Sequence, residues 1–439
     1  MVTNKSKRKA KKMVTSLLAV GMAFGMVTAT AGSTVNAEVK DDTSVWSWED
    51  ASKIERTEDN TAPQITEDEI NDIAPDLYVW DTWPLRDRDG SVAKVNGYKV
   101  IFSLTAEKEG ITPSERHGMA KIRYFYSKDG KDWKLGGLVY DPDKALGSRQ
   151  WAGSAMLDDG EVTLFYTATG RKSNETKTYE QRLAKVTADI SASNKEGVQL
   201  DSNEDHEILL EADGEKYQTL EQSQGKGVIY SFRDPWFFKD PKSGEEYLLF
   251  EGNSPGLASE QTCQPENIGS PSFQKTHEAP EEAALYNGAV GIAKKGDSLS
   301  DWEMMDPLLE ADCVNQQLER PHFMVKGNQY YLFFISHKFT FAPQLTGPDG
   351  LYGFTSKSIH GEYEPLNESG LVVANPENDP LQAYSWVVLP HGEVSSFVNK
   401  YKTEDGEQKF GGTLAPTLKV NFHKDESKIV NESKFPTLK

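Results

Sequence analysis

Several features that define common enzyme classes are missing from this 439-residue sequence. It has no HExxH, CxxC or P-loop motif, so the usual signatures of zinc peptidases, thiol redox proteins and P-loop nucleotide-binding enzymes are absent. Basic residues are also in deficit, with 48 Lys and Arg against 68 Asp and Glu, for a net charge of -20. A chain this acidic predicts no nucleic-acid partner.

Long apolar runs are absent except near the N-terminus. Six basic residues among the first twelve precede an apolar run from Met13 to about Thr28, and the small-residue sequence VNA ends at Ala37. This order is typical of a secretory signal, and no stretch reaches the ~20 apolar residues that a membrane span needs. We therefore predict a signal peptide over residues 1–37, an extracellular protein and no membrane span.

Cysteine is scarce too, because Cys263 and Cys313 are the only two. In an oxidising exterior, two cysteines pair more often than they stay free. Closing a loop of this length stabilises a fold by about 4 kcal/mol in the chain-entropy model.

The segment 38–76 is acidic and poor in long apolar runs, so we expect it to wrap the main body rather than form its own core. It contains one helix signal. Thr66, with Glu69 three residues later, forms a capping-box pattern ahead of Ile70, and Pro75 should end the helix.

From Leu77 onward the sequence reads as short β-rich runs separated by Gly, Asn, Asp and Pro. The predicted strands include KVIFSL, KIRYFYS, VTLFYTA, EYLLFEG and QYYLFFIS. Three polar turns each lead to an aromatic residue, at Trp133, Trp302 and Tyr363, which is a weak internal repeat.

A stronger repeat links RDPWFFKDPKSGEEYLLF, beginning at Arg233, with ERPHFMVKGNQYYLFF, beginning at Glu319. Both combine Pro, an aromatic strand, a turn and a second aromatic strand. Repeated sheet units of this kind fit an all-β propeller over residues 77–439. The pattern alone fits a β-sandwich equally well.

Carboxylates are the remaining candidates for catalysis, and three stand among Trp or Arg neighbours at the start of a β-rich unit. They are Asp81 in VWDTWPL, Asp234 in FRDP and Glu319 in LERP. Retaining cleavage of a glycosidic bond needs one carboxylate that attacks the anomeric carbon and one carboxyl that protonates the leaving oxygen. A third carboxylate can hold ring hydroxyls in the transition state.

These stretches resemble the levansucrase and inulosucrase family of sucrose-using fructosyltransferases. The resemblance runs from about Leu77 to about Pro416 and rests on motifs in the family's order. The motifs are VWDTWPL, RQWAGSA, FRDP, ERP, SHKFTFAPQLTGPDGLYGF and AYSW. It implies a five-bladed β-propeller with a funnel-shaped active site on its axis, acting on sucrose and on fructan or other sugar acceptors without a cofactor.

The resemblance also implies roles for individual residues. Asp81 is the expected nucleophile, Glu319 the general acid and base, and Asp234 the transition-state stabiliser. The remaining residues are expected to bind sugar, with the last three on the glucosyl and acceptor side. They are Trp80, Trp151, Ala152, Arg233, Arg320, Gln317, His337 and Tyr384.

Three positions depart from the pattern of many relatives. Gln316 stands where many Gram-positive relatives carry an acidic calcium ligand, and His337 stands where they carry Arg. Because an amide without carboxylate partners is a poor calcium anchor, we predict no metal and a Cys263–Cys313 disulfide in its structural place. Ala152 replaces the Ser of some members, which leaves one hydrogen bond near the nucleophile in doubt.

Two other functions remain open from the sequence. An invertase or levanase would pass fructose to water by the same chemistry. A non-catalytic carbohydrate-binding propeller would need none of the three acids. The sequence does not specify linkage, product length or oligomeric state, and we expect a monomer.

Overall fold

The computed structural model of the protein describes residues 43–172, 177–225, 229–403, 405–433 and 438. The predicted signal peptide, residues 1–37, lies outside this described part. None of the helices in the described residues is long and apolar enough to cross a bilayer.

Five sheet units follow one another along the chain after a short strand β1 (Ser44–Val45). The first contains β2 (Leu77–Asp87), β3 (Lys99–Glu107), β4 (Lys121–Ser127) and β5 (Lys134–Leu138). The second contains β6 (Arg149–Asp158), β7 (Glu161–Thr169), β8 (Gln181–Ser193), β9 (Gly197–Ser202) and β10 (Glu207–Leu210). The third contains β11 (Arg233–Lys239), β12 (Glu246–Asn253), β13 (Asn287–Lys295), β14 (Trp302–Met304) and β15 (Leu309–Asp312).

The last two units complete the series. The fourth contains β16 (Glu319–Lys326), β17 (Gln329–Ser336), β18 (Gly350–Ser356), β19 (Glu364–Pro365) and β20 (Leu371–Ala374). The fifth contains β21 (Ala383–Val388), β22 (Glu393–Lys402), β23 (Gln408–Leu414), β24 (Thr417–His423) and β25 (Glu426–Ser433). In the part of the chain that the structure describes, the helical segments are α1 (Trp48–Ala51), α2 (Pro265–Ile268) and single 3₁₀ segments at Glu67–Glu69, Pro113–Met119, Ala258–Glu260, Glu281–Leu285, Lys338–Thr340, Leu366–Glu368 and Pro390–Gly392.

The first strand of each unit lies innermost, and these five strands form a closed ring. β2 contacts β6, β6 contacts β11, β11 contacts β16, β16 contacts β21, and β21 returns to β2. Within each unit the first strand pairs antiparallel with the second. This arrangement is a five-bladed β-propeller, so the fold prediction is confirmed and the sandwich alternative is wrong.

The predicted strands are confirmed as β3, β4, β7, β12 and β17. Each is rich in β-branched and aromatic residues, which suit the two packed faces of a blade. The weak repeat also has a structural meaning, because Trp133, Trp302 and Tyr363 each precede or begin an outer strand and are buried beneath it.

Every innermost strand is interrupted by a β-bulge near its beginning. The register against the second strand shifts between Trp80 and Trp83, Trp151 and Gly153, Arg233 and Trp236, Glu319 and His322, and Tyr384 and Val387. Four of the bulges contain a non-glycine residue with positive φ, at Asp81 (48°), Asp234 (61°), Arg320 (51°) and Ser385 (61°). The five bulges lie at the same height along the propeller axis. Because bulges redirect side chains and are frequent next to active sites, this end of the axis is the place to look for a site.

The described part of the acidic segment packs against the propeller. β1 pairs in parallel with β15, and Trp46 is fully buried among Phe334, Phe341 and Tyr352. Burying one indole stabilises the attachment by about 2 kcal/mol or more.

The capping box predicted in this segment is present, since Glu69 accepts from the backbone and hydroxyl of Thr66. The helix is shorter than predicted, because it is one 3₁₀ turn that ends before Ile70 rather than at Pro75. Beyond it, the Ile73 backbone donates to the Thr413 hydroxyl, which itself donates to the backbone of this segment. Bonding to the fifth blade therefore replaces the next helical turn.

The two cysteines form the predicted disulfide, with Cα atoms 5.8 Å apart and a sequence separation of 50. It ties the α2 region to the turn after β15, beside β1.

Replacing both cysteines with Ser should lower the free energy of unfolding by about 2–5 kcal/mol, because a loop of this size is no longer closed in the unfolded chain. Denaturant unfolding measures the change. Reduced wild-type protein is the matched control and should unfold at the same midpoint as the double variant, and an unchanged free energy in either would contradict the prediction.

Candidate active site

A cavity of about 620 Å³ opens at the end of the axis where the five bulges lie. Asp81, Asp234 and Glu319 all lie on its wall, so three acids that are far apart in sequence share one space. Among the binding residues proposed from the sequence, six more line it. They are Trp151, Ala152, Arg233, Gln317, Arg320 and His337.

The bulges explain how adjacent residues both reach this cavity. In a regular strand, neighbouring side chains point to opposite faces, yet Arg233 and Asp234 both face the cavity and lie 3.8 Å apart, from Nε to Oδ2. Glu319 and Arg320 repeat this arrangement in the next blade. Backbone strain of about 1–3 kcal/mol at a positive φ is typical of functional sites.

The Arg233 guanidinium lies between acids at the cavity floor. It contacts Glu251 (Nε to Oε2, 2.8 Å) and donates to Glu319 (Nη2 to Oε1, 3.0 Å). Glu251 is completely buried, and burial together with nearby acids raises its pKa even though Arg233 opposes the rise. Conversely, the acids around Arg233 hold its pKa above the ordinary value despite burial.

Glu319 has a second donor, because the Tyr384 hydroxyl donates to its Oε2 at 2.5 Å. One oxygen therefore accepts from a cation and the other from a phenol. Two fixed donors hold this carboxyl in a single orientation.

Asp234 and Asp81 are linked through Arg320. The Arg320 backbone donates to Asp234 Oδ2 at 3.2 Å, while its guanidinium donates to the Ser385 side chain and to the Thr82 carbonyl. Burial raises the pKa of Asp234 to about 7, with Glu319 adding to the rise and Arg233 opposing it. Burial also raises the pKa of Asp81, which Arg320 partly offsets.

Three stacked rings lead from the cavity mouth to Glu319. Phe339 is 66% exposed and stacks on His337, with ring centroids 4.8 Å apart. His337 stacks in turn on Tyr384 at 3.8 Å and bonds through Nδ1 to Asp349 Oδ2 at 2.9 Å. The enclosure lowers the pKa of His337, but Asp349 and Glu319 outweigh it and leave a net rise.

The remaining binding residues proposed from the sequence differ in position. Trp151 is half-buried on the wall, and its Nε1 donates to the His117 carbonyl at 3.1 Å. Ala152 accepts a hydrogen bond from Thr167 through its backbone carbonyl. Trp80 is fully buried and is not part of the cavity wall, because it packs edge-on against the His117 ring. Its contact with sugar remains a prediction.

Several site residues escaped the sequence analysis. His117 lines the cavity from the 3₁₀ segment Pro113–Met119, and the enclosure and Arg116 lower its pKa to about 3, so its ring is neutral. Glu251 lies near the end of β12 as the counter-ion of Arg233. The one available signal for Glu251 was an acid directly after the apolar run YLLF.

The structure supplies no calcium-type cluster at Gln316. Its amide oxygen accepts from the Asn287 backbone and its amide nitrogen donates to the Ile229 carbonyl. Within the described residues, no group of three or more His, Cys, Asp or Glu side chains is arranged to hold a metal. The prediction that the protein needs no metal remains open to experiment.

A propeller whose axial funnel holds three carboxylates and two arginines is the architecture of a glycoside-cleaving enzyme. The sequence matches the Levansucrase/Invertase family model over residues 35–436. The chain belongs to this family.

Individual relatives agree. A levansucrase from Rahnella aquatilis is 40% identical over 394 residues, covering 86% of this chain and 91% of the relative. An extracellular sucrase from Zymomonas mobilis is 37% identical, covering 87% of this chain and 92% of the relative. A solved inulosucrase from Halalkalicoccus jeotgali bound to kestose has a TM-score of 0.81 and 47% identity, covering 90% of this chain and 97% of that chain.

The raised pKa of Asp234 predicts a pH dependence of stability. The folded protein keeps this proton up to about pH 7, whereas an unfolded chain releases it near pH 3.9. The carboxyl's contribution to stability therefore falls as pH rises from about 4 to about 7. Asp234→Asn should reduce this decline in denaturant unfolding measured between about pH 4 and pH 8.

The matched control is Asp201→Asn, an exposed acid on β9 that should leave the decline unchanged. Equal slopes in wild type and Asp234→Asn would contradict the assignment.

Proposed function

We propose that the protein is a secreted fructosyltransferase that cleaves sucrose with retention and passes the fructosyl unit to a fructan, to sucrose or to water. The observation that carries the proposal is the convergence of three carboxylates with Arg233 and Arg320 in one funnel. Retaining cleavage requires two carboxyl groups on opposite sides of one anomeric carbon.

Asp81 is the proposed nucleophile. Its neighbour Arg320 favours the ionised form that attacks the anomeric carbon, and no salt bridge occupies its oxygens in the described structure. Attack forms a fructosyl-enzyme and breaks the bond to the glucosyl oxygen.

Glu319 is the proposed acid and then base. It protonates the departing glucosyl oxygen and later removes a proton from the acceptor hydroxyl. Tyr384 and Arg233 fix its two oxygens, so little reorganisation is needed at the moment of proton transfer.

Asp234 is the proposed stabiliser of the transition state. Its carboxyl is placed beside Asp81 and Glu319 with one oxygen held by the Arg320 backbone. Hydrogen bonds from ring hydroxyls to this group strengthen as the ring becomes oxocarbenium-like.

The sequence of the funnel mouth favours a sugar acceptor in addition to water. Aromatic faces bind the apolar faces of sugars, and Trp151 and Phe339 line the mouth. Plain hydrolysis, as in an invertase, is the second candidate because an extracellular sucrase is 37% identical to this chain. That relative's name also supports secretion. We further propose that the protein acts as a monomer.

Glu319→Ala should lower kcat on sucrose by about 10²–10⁴-fold, the usual contribution of a general acid–base. With fructosyl fluoride, whose leaving group needs no proton, added azide should restore turnover and yield fructosyl azide. Asp81→Asn should lose turnover too, and azide should yield no fructosyl azide of retained configuration because no fructosyl-enzyme forms.

Circular dichroism checks that both variants are folded. Fructosyl azide of retained configuration from Asp81→Asn would reverse the two roles, whereas the inverted azide would mean that azide had replaced the Asp81 carboxylate. A wild-type protein that binds sucrose but releases no glucose would favour the non-catalytic binding propeller instead.

Phe339→Ala should raise the share of free fructose without changing the rate of glucose release, because the exposed ring contacts acceptor and not the scissile bond. Chromatography of products from concentrated sucrose measures both. Leu135→Ala, an exposed apolar residue on β5, is the matched control. Equal glucose and fructose from wild type at every sucrose concentration would argue for plain hydrolysis.

A further inference from the structure

A second cavity of about 330 Å³ opens at the opposite end of the propeller. It lies where the innermost strands β2, β11, β16 and β21 end, and the turn around Asp89 and the segment around His391 complete its wall. The catalytic acids lie at the beginnings of these strands, so the two cavities share no lining residue.

Arg86 on this wall is buried, with 4% of its surface exposed. Its Cζ lies 3.8 Å from the centroid of the Trp236 ring, and its Nη2 donates to the Phe237 carbonyl at 2.6 Å. Its Nε has no hydrogen-bond partner, and no carboxylate of the described residues lies within salt-bridge distance.

The other arginines in the same strands are arranged differently. Arg88, two residues away, pairs with both Glu246 and Asp158, and Arg233 contacts three acids. A buried guanidinium without a counter-ion is costly. Burial alone lowers the pKa of Arg86 to about 9.

The surroundings of Arg86 are cationic although the protein is acidic. Lys239 and Lys326 lie on the same wall, and Lys326 is held by a hydrogen bond from its Nζ to the Phe422 carbonyl at 2.9 Å. Asp89 is the one acid among the lining residues, and its carboxylate accepts from the Ser91 hydroxyl and backbone. Three cations therefore line a cavity that has one acid on its wall, and two of them, Arg86 and Lys326, are held by hydrogen bonds to backbone carbonyls.

Neutral side chains separate this cavity from the catalytic funnel. His322 is fully buried between them, with Nδ1 bonded to the Arg320 carbonyl and Nε2 accepting from the Val388 backbone. Burial lowers the pKa of His322 to about 3, so the ring is uncharged.

We propose that this lower cavity binds a small oxyanion, held by the Arg86 guanidinium that lines it and by the ammonium groups of Lys239 and Lys326. The planar guanidinium matches two oxygens of a phosphate or carboxylate, and the lysines supply further charge at the rim. Nothing in the proposed sucrose chemistry uses these residues, so the site is independent of that activity.

Isothermal titration of the full-length mature protein with inorganic phosphate, in chloride buffer of constant ionic strength, tests the proposal. We expect saturable binding of one phosphate per chain. Arg86→Gln should weaken binding about tenfold or more, as expected for loss of a charge-assisted hydrogen bond.

Because Arg86 is buried, its replacement risks misfolding, so Lys239→Gln/Lys326→Gln is the second variant. It should weaken phosphate binding at least about tenfold while sucrose cleavage stays unchanged, since both lysines are far from the funnel. Lys131→Gln/Lys134→Gln, the same charge change on exposed residues of the first blade, should leave the affinity unaltered. Absence of binding to wild type, or equal weakening by both double variants, would overturn the proposal.

Discussion

The buried Arg233 guanidinium is the interaction on which the catalytic funnel depends. Without it, Glu251, Asp234 and Glu319 would be three carboxyl groups in a space too dry to ionise them together. With the Arg233 guanidinium in place, Glu251 is its buried counter-ion, and Glu319 on the cavity wall is held by it. A lysine could not replace it, since only the planar fork of arginine contacts several carboxylates from fixed directions.

The repeated β-bulge is the second constraint, and it follows from the first. A regular strand would present Arg233 and Asp234 on opposite faces, so the cation and the acid it serves would be separated by the blade. The bulges of β11 and β16 each put two consecutive residues on the axis side, and four of the five bulges contain a residue with positive φ, at Asp81, Asp234, Arg320 and Ser385. The bulge recurs at the same place in neighbouring blades, so the side chains that it turns toward the axis together line the funnel.

The strands and the three acids could be predicted from the sequence, because β-rich runs between turn residues indicate strands and the Trp and Arg neighbours single out the acids. The bulges could not be predicted, since an Asp or Arg with positive φ leaves no signal in the sequence comparable to a Gly. Glu251 was missed for a related reason: its importance depends on Arg233 across a pair of strands. His117 was missed because it lies in a polar segment, and Trp80, proposed from its motif, packs edge-on against the His117 ring while its contact with sugar stays a prediction.

The two ends of the propeller axis carry opposite charge, with acids in the funnel and cations in the lower cavity. The residues between the two ends keep these charges apart. An ionised group at the centre would interact strongly with either end in this poorly solvated interior. The centre is instead occupied by Trp83, Trp236 and a neutral His322 whose two nitrogens are bonded to backbone groups of two blades. Through its two ring nitrogens, His322 connects the backbone of Arg320 with the backbone of Val388 at the end of β21. Hydrogen bonds to the backbone therefore hold the floor of the funnel in place of a salt bridge along the axis. The acids of the funnel are therefore balanced by cations at their own end, Arg233, Arg320 and Arg116, and no carboxylate of the described residues lies within salt-bridge distance of Arg86 at the far end.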